Sequence, residues 1–379
     1  MSDRIDPPRL LVRLEAEIAA ATSQLEADCK RAERAAYLAR LARLEEAQIV
    51  VEELQARNGL NPNVTLSVWT NFANGLLTYY GNIGVSTDDR VQRAHALSVA
   101  AGLRPLQAMC AAWLAQWDYS RLDMNALAGH VHEALALANA DHHTARSRAC
   151  LVTAQALHLA GRIDLATRWY ERSRFHAAAD GDDVTMSALM HNKTWLHMLT
   201  MRQAVLLAGR EEIEAAKQAL ANAASTDGFD EIKGDRSWSE LKPILRAQIV
   251  SLQGNPSQAV RLYEQHLASA GAPARLQANL FADKAWCHMQ LLESDRATAC
   301  AELALTNLSD ETQVDDRAAT HSRLAQVFSS LGDAVRHKNH LELAHEAWDE
   351  HLRLQASALE LLAPMGEQGR EPTRTDGRC

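Results

Sequence analysis

At 379 residues, with 47% hydrophobic and 23% charged side chains, the chain is too apolar for wholesale disorder. Its 17 glycines and 9 prolines are too few for a collagen-like or low-complexity polymer. The formal charge of −9, from 39 basic and 48 acidic residues, lacks the basic surplus of a dedicated nucleic-acid binder, so no nucleic-acid partner is expected. The length suits two or three domains of about 150 residues each, or one extended repeat array.

The amino-terminal residues Met1 to Pro8 carry neither the basic nor the apolar region of a secretory signal. No stretch approaches the roughly 20 apolar residues that cross a bilayer, so a cytoplasmic location without a membrane partner is expected. Six scattered cysteines (Cys29, Cys110, Cys150, Cys287, Cys300 and Cys379) form no CxxC pair and read as reduced core thiols.

From Leu10 to about Arg57 neither glycine nor proline interrupts a helix-forming sequence. Leu11, Leu14, Ile18, Ala21 and Leu25 make a short heptad stripe, which resumes at Leu41, Leu44 and Val51. This spacing predicts one or two long helices that pack on the rest of the chain or pair two copies as a homodimer. A further helix is expected from about Val64 to Tyr80, after the stop at Asn58-Gly59 and Asn61-Pro62.

Beyond Gly81-Asn82-Ile83-Gly84 the pattern becomes helix pairs with short polar breaks: 104–117 with 123–139, 145–160 with 163–178, and 184–208 with 211–223. The pairs continue as 238–253 with 256–270, 274–292 with 295–307, and 314–331 with 334–361. No alternating β-branched run is present, so no strand is expected. The organisation predicted is an N-terminal helical region over 1–102, an array over 103–361 and a disordered tail over 362–379.

A pattern recurs across the breaks: a small residue, Ala five positions on, and a bulky residue four beyond that. It reads Gly161–Ala166–Tyr170, Gly254–Ala259–Tyr263 and Ser294–Ala299–Leu303, with Gly332–His337–Leu341 partly kept. Seven residues before each break stands another small residue, Ala154, Ala247, Cys287 or Ala325. Small residues at these places let paired helices approach closely. The spacing resembles the tetratricopeptide repeat (TPR), a helix–turn–helix unit of about 34 residues. The resemblance implies an all-α, right-handed solenoid of helix hairpins. Breaks at 161, 209, 254, 294 and 332 are 38 to 48 residues apart, longer than that norm, and the unit at Gly209 has Glu214 and Gln218 in the Ala and bulky places. Such long, degenerate units are similar to arrays in bacterial signalling proteins.

No GxxxxGK[ST] loop, GxSxG elbow or HExxH helix is present, and Gly81–Gly84 is too glycine-poor for a dinucleotide fingerprint, so no enzyme activity is expected. Glu342 and His345 share a helix face as in di-iron bundles, but no second pair accompanies them. His130/His132 and His142-His143 have no convergent acid, and neither metal nor other cofactor is expected. Cys287-His288 reads as a buried thiol beside a histidine, and the eight tryptophans as core filling.

One row remains. Six residues before the successive breaks stand Gln155, Gln203, Gln248, His288 and Gln326, and four residues earlier Leu151, Leu199, Ile244, Lys284 and Ser322. In the TPR family that offset lies on the concave face, where amide side chains hold the backbone of an extended peptide. Glutamine carries two donors and an acceptor, so a ladder of them suits a peptide of any sequence. The expected function is a peptide- or protein-binding scaffold or adaptor. The alternative is a ligand- or peptide-responsive regulator that controls an effector through its N-terminal helices.

Overall fold

Six hairpins of this chain are closed by one recurrent turn. In the computed structural model, which describes residues 7–81, 88–233, 239–268, 274–310 and 312–368, helices end on a residue with left-handed backbone: Ala42, Leu122, Gly161, Gly254, Leu292 and Gly332, with φ of 59, 59, 79, 81, 63 and 77°. The next N–H then reaches back five residues, as in Arg43 to the Leu38 carbonyl (3.0 Å), Asp123 to Asp118 (2.9 Å), Arg162 to Leu157 (2.8 Å), Asn255 to Val250 (3.1 Å), Glu293 to His288 (3.0 Å) and Asp333 to Phe328 (2.9 Å). This Schellman closure satisfies a carbonyl that the ending helix leaves open and reverses the chain within three residues. The following helix is started by a cap at several turns: Asp123 accepts from the Ala126 N–H (3.0 Å), Asn255 from Gln258 (3.3 Å) and Asp333 from Arg336 (3.0 Å).

The described residues contain seventeen helices and no strand. The first nine are α1 (Arg9–Ala20), α2 (Gln24–Arg40), α3 (Leu44–Leu60), α4 (Val64–Gly81), α5 (Asp89–Ala100), α6 (Arg104–Ser120), α7 (Met124–Leu137), α8 (His143–Leu159) and α9 (Ile163–Asp180). Then come α10 (Asp183–Ala208), α11 (Ile213–Lys233), α12 (Lys242–Leu252), α13 (Pro256–His266), α14 (Ala274–Gln290), α15 (Ser294–Asn307), α16 (Val314–Ser330) and α17 (Ala334–Gln368). Helices pack on their sequential neighbours, and the first helices of adjacent hairpins stack: α2 on α4, α6 on α8, α12 on α14 and α14 on α16. The expected hairpins are therefore present. The expected starts and ends at Trp238 and at 269–270, the loop 82–84 and the end of the chain from 369 lie outside the described residues.

Two compact units divide the chain. The first comprises Met1–Leu189, Gly228–Ser237 and Ser357–Cys379, and the second Met190–Asp227 and Trp238–Ala356. In the first unit the N-terminal stretch forms three helices, not one or two. The heptad stripe stops at Ala21, because Ser23 caps α2 by accepting the Glu26 N–H (3.2 Å), and Ala42 turns the chain before α3. Leu11 and Leu14 are buried, whereas Leu25 is exposed. In α17 the helix passes the expected end at residue 361, because Leu362 and Met365 extend its buried stripe.

The small residues pack as the pattern predicts: Ala154, Ala166, Ala247, Ala259 and Cys287 are all fully buried. The hairpin read as Ser294–Ala299–Leu303 is in a different register. The turn is at Leu292, and the buried residues are Ala285, Ala297 and Ala301, while Ala299 and Leu303 face solvent. Counted from the same turn, Ala35, Ala47 and Val51 around Ala42, and Ala115, Leu127 and Val131 around Leu122, repeat the pattern and are buried. At Gly209 the Arg210 N–H reaches six residues back to Ala204 (3.1 Å), and α11 starts later. Ala216 and Ala219 are buried there, leaving Glu214 and Gln218 exposed.

Candidate functional site

A shared turn gives a structural ruler for the first helices. Six residues before the left-handed residue stand Ala36 in α2, Gln116 in α6, Gln155 in α8, Gln248 in α12, Trp286 in α14 and Gln326 in α16. Gln116 was hidden from the sequence reading because Leu122, not glycine, makes its turn. His288 and Lys284 leave the row for the same reason: Leu292 shifts the register by two, so Trp286 and Ala282 hold the equivalent places. Gln203 is six residues before Gly209, but that turn has one residue more than the others. The signal that finds Gln116 is the spacing of Ala115, Leu127 and Val131, not any turn residue.

The row is not uniformly open. Gln155 is 4% exposed, Gln248 and His288 are each 1% exposed, and Gln203 and Gln326 are half-buried. In the position four residues earlier, Leu151 and Ile244 are buried, while Leu199 and Lys284 are half-buried. The Oε1 atoms of Gln155 and Gln248 are buried and accept no hydrogen bond. Since nearly all buried polar side-chain atoms are bonded, two orphan acceptors at equivalent positions are notable. His288 instead pairs its Nδ1 with Glu293 Oε2 at 2.6 Å, which braces its own turn.

Around Gln326 the second unit carries a closed network. Arg323 donates from Nη1 to Gln326 Oε1 (2.9 Å) and from Nε to Asp283 Oδ1 (2.7 Å), and its guanidinium lies 5.9 Å from the Trp286 ring centre. Arg202 of α10 holds α16 by Nη1 to Asp316 (2.7 Å) and Nη2 to Asp315 (2.9 Å). The place of Ser322 is also filled: Trp348 of α17 donates Nε1–H to its Oγ at 3.0 Å.

In the first unit the face of α8 that carries Leu151 and Gln155 also carries Arg148, seven residues before Gln155. Its guanidinium lies 3.9 Å from the Trp113 ring centre, and its Nε and Nη2 are buried without a partner. Burial lowers its pKa, Tyr80 working against that and Arg40 adding to it. Arg40 itself is bound, with Nη2 on both Asp182 oxygens (2.9 Å each) and on Thr185 Oγ1 (2.7 Å). The turn Asp180–Asp183 also fixes α1: Arg13 meets Asp180 (2.8 Å), Arg9 meets Asp183 (2.8 Å), and the Leu10 N–H meets the Gly181 carbonyl (3.1 Å). Sequence reading missed this clamp because its residues are about 170 positions apart.

The other candidates have internal explanations. Cys287 donates to Ser251 Oγ (3.4 Å), and burial pushes its pKa up to about 12, the setting of an unreactive thiol. His321 and His340 face each other at 3.0 Å between Nδ1 atoms, and His337 bonds the Ala325 carbonyl at 2.9 Å. Among the described residues no group of three or more His, Cys, Asp or Glu is placed to hold a metal ion, and no helix is long and apolar enough to cross a membrane. Trp113, Trp117, Trp169 and Trp348 are buried, in keeping with core filling, and Trp238 lies outside the described residues. These features define a class: an all-helical protein of hairpins packed in sequence, consistent with a helical repeat. The chain matches no protein-family model and no curated protein sequence.

Proposed function

We propose that this chain is a non-enzymatic binding module: a TPR-like, right-handed array whose first helices line a concave face for a peptide segment of a partner protein. It acts as a scaffold or adaptor. The observation that carries this reading is the recurrence of glutamine at one offset, Gln116, Gln155, Gln248 and Gln326, with two unbonded Oε1 acceptors among them. Gln203 adds a rung where the turn is irregular, and His288 stands beside the row. Each amide–peptide hydrogen bond contributes about 0.5–1.5 kcal/mol net, so several rungs and the apolar residues beside them are needed.

The test replaces Gln203 and Gln248 together by alanine and uses wild type and variant as baits in extract of the native host. The expected result is a partner retained by the wild type and weakened about tenfold or more in the variant, with the helix content by circular dichroism unchanged although truncation of the buried Gln248 lowers the melting temperature. Equal retention by both baits counts against the row. A second reading, a peptide-responsive regulator, is supported by the cover that α17 lays over part of the first-helix layer. Its signature is a change of hydrodynamic size when peptide is added.

A further inference from the structure

The carboxy-terminal part of α17 occupies a layer that a simple hairpin array leaves empty. In a two-layer hairpin array each first helix keeps one open face. In α8, however, every residue from Ser147 to His158 is buried. Ala358, Leu362 and Met365, at i, i+4 and i+7, belong to the same buried cluster as Leu151, Ala154 and the α6 residues Ala108, Ala112 and Ala115. These three residues therefore add a stripe from the end of the chain to a core that α6, α7, α8 and α9 build.

Three features of the segment set it apart from a permanent core element. It follows a stretch in which Leu352, Arg353, Leu354, Ala356 and Ser357 are exposed, so no core holds the helix there. Pro364 stands inside its last turns and supplies no N–H to the carbonyl four residues back, which weakens them. The core that Ala358, Leu362 and Met365 join also holds a polar atom that the apolar row cannot satisfy, the Gln155 Oε1 acceptor. A permanent cover would leave that cost uncompensated for good.

We infer that residues 357–368 are the chain's own, displaceable occupant of a binding face on α6 and α8, and that the partner is an amphipathic helix with the same apolar i, i+4, i+7 spacing. This rests on the concave-face reading above and names the occupant of that face in the first unit. The incoming helix uses the place of Leu362 for its anchor and adds a hydrogen-bond donor opposite Gln155. While tethered, the resident segment competes at an effective concentration of about millimolar, so only a better-matched helix replaces it.

The probe is a fluorescein-labelled synthetic peptide of residues 357–368, titrated against the full chain and against the full chain with Leu362→Ala and Met365→Ala. The wild type is expected to show little binding. The double variant, its own segment weakened, is expected to bind at least tenfold more tightly, and a peptide with Leu362→Glu is expected not to bind. A folded variant that takes up no peptide overturns the inference. Hydrogen exchange of the unmodified chain decides the matter if the variant does not fold: residues 357–368 are expected to exchange at least a hundredfold faster than 340–351 of the same helix. Equal protection of the two stretches means that the segment is core, and the inference is wrong. Neither result touches the Gln203 and Gln248 experiment, which reads the second unit.

Discussion

In α8 burial runs right round the helix, whereas in its hairpin partner α9 it is confined to one stripe: Ala166, Trp169, Tyr170, Ser173, His176, Ala177 and Asp180. The second unit repeats the contrast. In α16 residues 318–325 are all buried, but in α15 only Ala297, Cys300, Ala301 and Ala304 are. In these two hairpins the middle of the first helix is covered on every side, and the second helix is an amphipathic cover. A polar group on such a buried stretch has to find its partner inside the protein, while the same group on a second helix can turn to water.

The largest expected effect follows from that difference. Arg323 of α16 and Asp283 of α14 form a pair at 2.7 Å with both side chains 3% exposed, whereas Arg296 of α15 reaches Glu264 at 3.4 Å in solvent. Arg323→Ala strands the Asp283 carboxylate and is expected to cost about 3–5 kcal/mol in urea unfolding. Arg296→Ala is expected to stay within about 0.5 kcal/mol. Comparable losses in the two variants would erase the distinction between the layers.

Next in size is a dependence on pH. Burial is the first cause that holds His176 and His321 down to about 4, with His143 and His340 adding to it respectively. Both groups are neutral in the folded protein, while the unfolded chain takes up their protons near pH 6.5. Their contribution to stability is therefore complete above pH 6.5, falls as the pH drops, and levels off below about 4. His130 works in the opposite sense, because its hydrogen bond to Asp118 raises its pKa, and its stabilisation is lost as the pH rises. Burial also lowers His142, His191, His197, His340 and His351, so the net effect of the histidines between pH 7 and pH 4 is a loss of stability. Urea unfolding of the wild type and of His321→Gln at pH 7.5 and 5 checks it: the variant should lose less on acidification.

The sequence shows the hairpins wherever a glycine makes the turn. Gly161, Gly254 and Gly332 punctuate it, and the small residues at fixed distances from them are buried as that pattern requires. Where Ala42, Leu122 and Leu292 make the same turn, no local residue type marks it. So the α2–α3 hairpin reads as one helix, Gln116 carries no turn signal, and His288 and Lys284 fall at the offsets that belong to Trp286 and Ala282. The clamp of α1 on Asp180–Asp183 and the cover of α17 on the first unit are tertiary facts, made by residues far apart in sequence. Periodicity finds the stripe on α17 but not what the stripe lies against.

The register in the α14–α15 hairpin supplies a smaller, sharper test. If the turn is at Leu292, Ala297 is the close-packing residue and Ala299 faces solvent. Ala297→Leu should then overpack the hairpin and cost about 1–3 kcal/mol, while Ala299→Leu should change stability by less than about 0.5 kcal/mol. The reverse order of the two variants would restore the Ser294 register and return His288 to the row.

The smallest effect concerns the turn itself. Leu292 has φ of 63° and is 88% exposed, so its side chain packs on nothing that a smaller residue would forfeit. An L-residue in this conformation is strained by roughly 1–2 kcal/mol, which glycine escapes, but glycine also adds freedom to the unfolded chain. The two terms leave Leu292→Gly more stable by about 0.5–1 kcal/mol. Gly254 has φ of 81° and no atom within 4 Å of the Cβ it would acquire, so there Ala meets open space and only the backbone objects. Gly254→Ala should therefore be less stable by about the same amount. Opposite signs in paired urea titrations mean that one turn serves both hairpins; a loss in both variants would mean that the Leu292 side chain has a role of its own and that its turn is not the equivalent of Gly254.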